Sequence, residues 1–297
     1  MISRAIVAIA LLAACHGGAS SQRTLLALRT ACPADQRWDG HACVAVGDGP
    51  AKIAAGKAAL AALKMDDAKS ALDGAETAGP LDHTANVMLW EQRGIAAAYV
   101  DDEPTATAAF DMLLALDPAH FLSYRLSPKA TFVFEKVRND TKGRSPAAVD
   151  VNWSHGQKVG DPVPLDVEVL ADPKGFLHSA TLFVRTRGDA AWRAADLALD
   201  KAGSERHLVL PPVTATKPIS LELYLRAYDV RGNEVLTWAD PTRPREIPLR
   251  YDPPQPWWKK WWVLTIAGGV LAVGTGVTVY QLTLAPPDKI GGGVSAH

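Results

Sequence analysis

The run LELYLRAYDVRGN, residues 221–233, is the stretch that decides the fold of the second half of the chain. Its apolar and polar side chains alternate, as they do in a β-strand with one buried face. The core-facing set is Leu221, Leu223, Leu225 and Ala227, and the outward set is Tyr224, Arg226 and Tyr228. Because Gly232 and Asn233 are turn residues, the run predicts one strand that ends in a tight turn.

Similar short alternating runs lie on both sides of this strand. The predicted strands are 163–170, 180–186, 193–199, 205–210, 219–229 and 245–250. Turn sequences such as Asp172-Pro173-Lys174-Gly175 separate them, and this spacing over residues 149–251 predicts a β-sandwich. The segment from Tyr224 to Asn233 resembles the late strand and turn of immunoglobulin-like and fibronectin-like envelope domains. That resemblance implies a fold and says almost nothing about function.

Residues 50–142 are rich in alanine and leucine at helical spacing. Shifting the segment so that Ala68 falls on Ala106 also aligns Leu72 with Phe110 and Pro80 with Pro118, which predicts an internal repeat. The second copy carries Trp90, Gly94, Ala106, Phe110 and Pro118, and these spacings resemble the tetratricopeptide pattern. Arg93 and Ala97 depart from that pattern, where leucine and tyrosine are usual.

The tetratricopeptide resemblance implies a concave groove that is lined by the first helix of each repeat. Carried over by position, the groove residues are Ile53, Lys57, Met88, Glu91, Ile95 and Tyr99. The family's clamp for a C-terminal carboxylate uses lysines and asparagines, and only Lys57 is of that kind here. Met88, Ile95 and Tyr99 fit a hydrophobic core equally well.

Residues 1–15 predict a secretory signal, because Arg4 precedes an apolar run that is too short to span a bilayer. The run ends in Leu12-Ala13-Ala14-Cys15, which resembles the lipobox of bacterial lipoproteins and implies lipidation of Cys15. An ordinary small-residue cleavage site is the alternative. Lipidation would leave Cys32 and Cys43 as a pair, for which we expect a disulfide rather than a zinc site with His41.

Residues 257–285 are long and apolar enough to predict a transmembrane helix. Tryptophan and lysine are typical of a membrane interface, and the predicted interface residues are Trp257, Trp258, Lys259, Lys260, Trp261 and Trp262. Alternation within 274–284 also fits a strand. With the body exported, Lys259 and Lys260 would lie outside, which conflicts with the positive-inside tendency and leaves the orientation of the helix open.

The sequence therefore predicts a multi-domain α + β protein with tetratricopeptide-like helical hairpins, an all-β immunoglobulin-like sandwich and one transmembrane helix. The predicted segments are a signal at 1–15, a linker with a disulfide loop at 16–49, helices at 50–142, the sandwich at 149–251, the span at 257–285 and a polar tail at 286–297.

No sequence motif for catalysis stands out. Eight histidines are scattered, and neither a nucleophile elbow, a phosphate loop nor a dinucleotide fingerprint occurs. The acidic run Asp101-Asp102-Glu103 precedes Pro104, which predicts a helix start rather than acid–base chemistry. A formal net charge of −1 argues against nucleic acid as a partner. We expect no enzyme, no cofactor and no metal.

These observations lead to two binding hypotheses, beside a third, an envelope enzyme, which would need a pocket with clustered titratable groups. The first is a non-enzymatic, membrane-anchored scaffold or adaptor in the bacterial cell envelope, with its body facing the periplasm. Its partners would be other envelope proteins, and it would contact membrane lipid through Cys15 and the C-terminal helix. The alternative is a module that binds a cell-wall glycan or small ligand through the sandwich loops, and its cues are Trp153, Trp192 and Trp238.

Overall fold

The structure of the protein is a computed structural model that describes residues 23–33, 35–38, 41–123, 125–199, 201–253 and 259. It is a mixed fold in which helices dominate the first half and strands the second. The helices are α1 (Gly49–Ala61), α2 (Met65–Thr77), α3 (His83–Tyr99), α4 (Glu103–Leu116) and α5 (Pro128–Thr141). The strands before them are β1 (Thr24–Leu25), β2 (Arg29–Thr30), β3 (Gln36–Trp38) and β4 (Cys43–Ala45). The strands after them are β5 (Ala148–Trp153), β6 (Val163–Ala171), β7 (Ser179–Thr186), β8 (Arg193–Ala198), β9 (Glu205–Leu210), β10 (Ile219–Tyr228), β11 (Glu234–Trp238) and β12 (Arg245–Leu249).

Side-chain caps define where three of the helices begin. The carboxylate of Asp82 accepts the backbone N–H of Ala85 at 2.8 Å, and Asp102 accepts that of Thr105 at 3.2 Å. Ser127 caps α5 in the same way. These bonds satisfy N–H groups that the first turn of a helix leaves without partners. The acidic residue Asp102 therefore serves the start of α4.

The helices pack as hairpins in which glycine allows a close approach. A Cβ at Gly94 would lie less than 3.0 Å from the ring of Phe110, and a Cβ at Gly56 would lie 2.7 Å from Cγ of Leu72. Phe110 is fully buried and meets Phe134 of α5 edge to face, with ring centroids 5.4 Å apart. One hydrophobic cluster therefore joins all five helices.

Two sheets pack face to face around a second hydrophobic cluster. The four-stranded sheet has the order β1-β9-β6-β5, and the six-stranded sheet has the order β11-β10-β7-β8-β2, with β12 also paired to β10. Leu165 and Val167 of one sheet share the core with Leu182, Leu223 and Leu225 of the other. The core face that alternation predicts for residues 221–227 is therefore buried, as expected.

The segment before the helices contributes to both sheets. β1 pairs in parallel with β9, and β2 pairs antiparallel with β8, so residues within the predicted linker form strands at two sheet edges. Helices also meet the sheet core, since Trp90 of α3 and Met112 and Leu116 of α4 pack against it. The described residues up to Tyr251 belong to one compact unit, and those from Asp252 onward to a second.

The predicted membrane-spanning part of the fold class is wrong. Among the residues that the structure describes, none of the helices has the length and apolar character needed to cross a membrane. The predicted span, 257–285, lies outside those residues except for Lys259, and so do the interface residues Trp257, Trp258, Lys260, Trp261 and Trp262. An apolar run of sufficient length, flanked by tryptophan and lysine, shows only that a segment is compatible with a bilayer, and the prediction had no other basis.

The family assignments behind the fold class are also corrected. Nothing supports tetratricopeptide repeats, a signal peptide or a lipoprotein, and residues 1–15, which include Cys15, lie outside the described residues. The spacing of Gly94, Ala106 and Phe110 reflects how two helices cross, which any tightly packed hairpin requires. Likewise, alternation in β10 reports one buried face and is shared by many sheets. Both patterns predicted the local packing and not the family.

Candidate functional site

The outward face of the six-stranded sheet carries aligned aromatic and charged side chains. Register places Tyr224 of β10 directly opposite Phe183 of β7, and Glu222 opposite Arg185. The two aromatic rings stack in parallel with centroids 4.4 Å apart, and Arg185 Nε donates to a Glu222 carboxylate oxygen at 2.6 Å. Directly opposed pairs of this kind stabilise a sheet, and here they make the face a continuous platform of aromatic and charged side chains.

Trp192 extends this platform beside Tyr224. Its ring meets Tyr224 edge to face at 4.7 Å, and the Arg185 guanidinium lies 4.2 Å above its centroid. Tyr224 is only 5% exposed, and burial raises its pKa to about 12. Burial also raises the pKa of Tyr228. Both phenols are therefore neutral at physiological pH, and they act as apolar surfaces with hydroxyl groups.

A disulfide-bonded hairpin lies over one end of the platform. Strands β3 and β4 pair antiparallel, and the predicted disulfide between Cys32 and Cys43 is confirmed. From this hairpin, the Arg37 guanidinium stacks on the Tyr228 ring at 3.9 Å, and Trp38 lies beneath the Arg29 guanidinium at 4.4 Å. A cleft of about 870 Å³ separates the hairpin from the sheet.

The arginines that line this cleft are not equally paired. Arg29 makes a bidentate contact with Asp196, with Nε and Nη2 at 3.1 and 2.9 Å from its two oxygens. Arg226 lies 3.6 Å from Glu234, and its buried Nε has no hydrogen-bond partner in the described part of the chain. Burial lowers the pKa of Arg37, which forms no ion pair with a described carboxylate. The cleft therefore combines aromatic walls with guanidinium groups that retain donor capacity.

The residues of the predicted helical groove differ in burial. Ile53 and Ile95 are buried in the core of the helices, and Met88 and Tyr99 are partly buried against it. Lys57 is exposed, and Glu91 lies 3.6 Å from Nε2 of His120. Of the residues predicted for repeat packing, Gly94 lies against Phe110 at the α3–α4 crossing and Ala106 is buried in the same cluster, while Trp90 is partly buried on α3 and Pro118 follows α4.

The three tryptophans proposed as glycan contacts have different surroundings. Trp192 lines the cleft. Trp153 and Trp238 pack against the sheet core instead, and Trp238 donates its indole N–H to Asp150 at 3.1 Å. The structure therefore brings one of the three to the cleft.

The outer face of the four-stranded sheet carries a group of titratable side chains. The sequence alone does not predict this group. Register places Asp166 opposite His207, and with Glu205 their ligand atoms lie within 4.8 Å of one another. Asp166 is already engaged, since His207 Nδ1 is 2.8 Å away and the Arg23 guanidinium 3.3 Å away. These three residues could each offer a metal one ligand atom, but ion pairing within the group accounts for them.

Comparisons with known proteins add little. No protein-family model matches the chain, and no curated protein does. One solved structure to which it is similar is a cohesin module from Clostridium perfringens ATCC13124 family 33 glycoside hydrolase, at 10% identity over 36% of this chain and 98% of that chain. The TM-score is 0.24, so the likeness carries no argument about fold or function.

Proposed function

We propose that the protein is a non-catalytic adaptor that binds a protein partner in the cleft between the disulfide-bonded hairpin and the six-stranded sheet. The observation that carries this proposal is the composition of the cleft walls. They contain two tryptophans, two tyrosines and several arginines: Trp38, Trp192, Tyr224, Tyr228, Arg29, Arg37 and Arg226. Tryptophan, tyrosine and arginine are the residues that dominate the binding energy of protein interfaces.

The platform forms the floor of the cleft, and the contacts between its side chains hold that floor in place. Phe183, Tyr224 and Trp192 hold each other by ring contacts, and the Arg185–Glu222 ion pair fixes the next row. A preorganised surface loses little conformational entropy when a partner docks, which favours affinity. The titratable groups of the floor serve packing and pairing in this arrangement, so the proposal assigns it no catalytic role.

The proposal also places the protein outside the cytosol. Its support is the Cys32–Cys43 disulfide, because structural disulfides form and persist in oxidising compartments. A bacterial periplasm is one such compartment, and envelope proteins are then the partners that the cleft would meet. Fractionation of tagged protein, followed by trapping of free thiols, tests this placement; recovery in the cytosol with both thiols free would contradict it.

Site-specific crosslinking tests the binding site itself. Replacing Trp38 with the photoreactive p-benzoylphenylalanine keeps an aromatic ring in the cleft wall. We expect illumination of intact cells to give one dominant crosslinked protein. The matched control places the same group at Phe132, which is 70% exposed and does not line the cleft. Crosslinks from position 132 alone would overturn the proposal.

A glycan or small ligand is a second candidate for the same cleft. The specific observation is that Trp192 lies half-buried in a cleft whose volume is typical of small-molecule sites. In this case, purified cell wall should retain the protein, and Trp192→Ala should release it. Equal retention of Trp192→Ala and wild type would rule out the cleft as the glycan site.

A further inference from the structure

Two guanidinium groups in the cleft lie close enough to repel each other. Arg37 comes from the hairpin and stacks on Tyr228 at 3.9 Å. Arg226 comes from β10 and lies 5.7 Å from the centroid of Tyr224. Burial is the main cause that lowers the pKa of Arg37, and the positive charge of Arg226 contributes to the same direction. Two like charges on partly desolvated side chains require a counter-charge.

The described carboxylates satisfy this requirement only in part. Glu234 acts on both guanidinium groups, but its Oε2 is 3.6 Å from Arg226 Nη1, and its Oε1 accepts the hydroxyl of Thr237 at 2.6 Å. Asp229 also lies near Arg37, yet its oxygens accept the backbone N–H groups of Arg231 and Asn233 and the Asn233 amide. Neither carboxylate forms a close, bidentate contact with Arg37 or Arg226.

Neighbouring arginines on the same face provide the contrast. Arg29 is chelated by Asp196, and Arg185 Nε donates to Glu222 at 2.6 Å. Each of those two guanidinium groups is therefore already paired with a carboxylate. Arg37 has no such close pairing with a described carboxylate, and the buried Nε of Arg226 has no acceptor within the described ranges. Both of these side chains line the cleft.

We infer that the cleft binds a carboxylate side chain of an acidic segment in the protein partner, held between Arg37 and Arg226. This inference rests on the proposed function, because it names the chemistry of the partner at the same site. A carboxylate matches the planar fork of a guanidinium and can accept two N–H groups at once. Trp38 and Trp192 line the same cleft and provide aromatic surface for apolar neighbours in the segment.

A singly charged carboxylate fits this position better than a phosphate. Glu234 is a buried carboxylate beside both arginines, at 6% exposure. Its negative charge, together with that of Asp229 near Arg37, already offsets much of the guanidinium charge. A phosphate dianion would therefore be repelled by these carboxylates more strongly than a singly charged carboxylate.

A positional-scanning hexapeptide library, measured by fluorescence polarisation with the full chain, tests the inference. We expect aspartate or glutamate to be preferred at one position, with the asparagine or glutamine isostere weaker by about tenfold or more. Arg37→Gln and Arg226→Gln should each abolish that preference. The matched control is Arg187→Gln, an exposed arginine of the loop after β7 paired with Glu246, and it should keep the preference.

Two results would overturn the inference. One is the absence of an acidic preference in the wild-type chain, or its survival in Arg37→Gln and Arg226→Gln. The other is that millimolar inorganic phosphate or polygalacturonate displaces the acidic peptides and also binds the chain directly with higher affinity than those peptides do. Thermal unfolding of each variant shows whether a lost preference is caused by a lost fold. If Arg37→Gln does not fold, Arg37→Lys replaces it, because lysine keeps the positive charge and lacks the planar guanidinium.

The outcomes also separate this inference from the proposed function. A protein crosslinked through position 38, together with no acidic preference in the library, leaves the adaptor function standing and rejects the carboxylate site. An acidic preference without any crosslinked protein in cells supports the carboxylate site and rejects the adaptor function.

Discussion

The side chain of Asn233 binds the backbone of Leu81: Asn233 Oδ1 accepts the Leu81 N–H at 2.9 Å in a buried environment. Next to this bond, the Glu234 N–H donates to the Leu81 carbonyl at 2.8 Å, and the Asn86 amide donates to the Glu234 carbonyl at 3.2 Å. The loop before α3 is thus tied to the β10–β11 turn. These bonds connect the helices to the sheets within one compact unit and hold Glu234 beside the cleft.

Asn233→Ala should therefore destabilise the whole unit. It leaves the buried Leu81 N–H without its acceptor, which costs about 1–3 kcal/mol. Urea unfolding, monitored by circular dichroism, measures this loss. Asn152→Ala removes an exposed amide on β5 and should change the free energy of unfolding by less than about 0.5 kcal/mol. Similar losses in the two variants would show that the Asn233 bond does not couple the halves.

Part of the site follows from the sequence and part does not. Alternation in residues 221–228 correctly predicts that Tyr224, Arg226 and Tyr228 share the outward face of a strand, because that face depends only on the period of the strand. What covers the face depends on tertiary contacts between residues far apart in sequence. Arg37 reaches Tyr228 from the other end of the chain, and no local pattern reports such a contact.

Two short strands and one cluster of titratable side chains could likewise not be predicted from local sequence patterns. β1 and β2 contain two residues each, which is too short for a periodic signal. Asp166 and His207 meet only through the register of β6 with β9. The disulfide was predictable because cysteine chemistry leaves few alternatives once the compartment is assumed.

Gly94→Ala should lower stability, although alanine is the better helix former. The added Cβ would lie less than 3.0 Å from the fully buried ring of Phe110, so α3 and α4 must move apart. Overpacking of this kind costs about 1–3 kcal/mol. Gly74→Ala is the matched control, because its Cβ would meet only the flexible side chain of Lys52 at 3.5 Å. We expect that control to be neutral or stabilising by up to about 1 kcal/mol in chemical unfolding, and a stabilised Gly94→Ala would contradict the crossing geometry.

Stability should fall steeply at alkaline pH because of Tyr224. Its pKa is raised by burial to about 12, above the ordinary value of 10.0. Between these two values the folded state binds more protons than the unfolded state, so the free energy of unfolding decreases as pH rises. The stabilisation is complete below pH of about 10 and is lost as pH approaches about 12. Between pH 9 and 12, the free energy of unfolding should fall less steeply with pH in Tyr224→Phe than in the wild type. Identical slopes in the two proteins would refute this role of the phenol.

Removing the disulfide should release the hairpin without unfolding the core. Within the described residues, β3 and β4 contribute nothing to either hydrophobic cluster. The hairpin is held instead by the Cys32–Cys43 bond and by the stacking of Arg37 on Tyr228 and of Arg29 on Trp38. In the chain-entropy model, a disulfide that closes so short a loop stabilises the folded hairpin by about 3 kcal/mol. Local opening of the hairpin therefore becomes frequent once the bond is absent.

Limited trypsin digestion of Cys32→Ser/Cys43→Ser measures that opening. Cleavage after Arg37 should be at least about tenfold faster than in the oxidised wild type, because the protease requires an opened segment. Cleavage after Arg125, an exposed loop residue outside the hairpin, is the internal control and should keep its rate. The main thermal transition should shift by less than about 5 °C. Loss of that transition would instead show that the disulfide stabilises the two hydrophobic clusters, because the clusters would then unfold when the bond is removed.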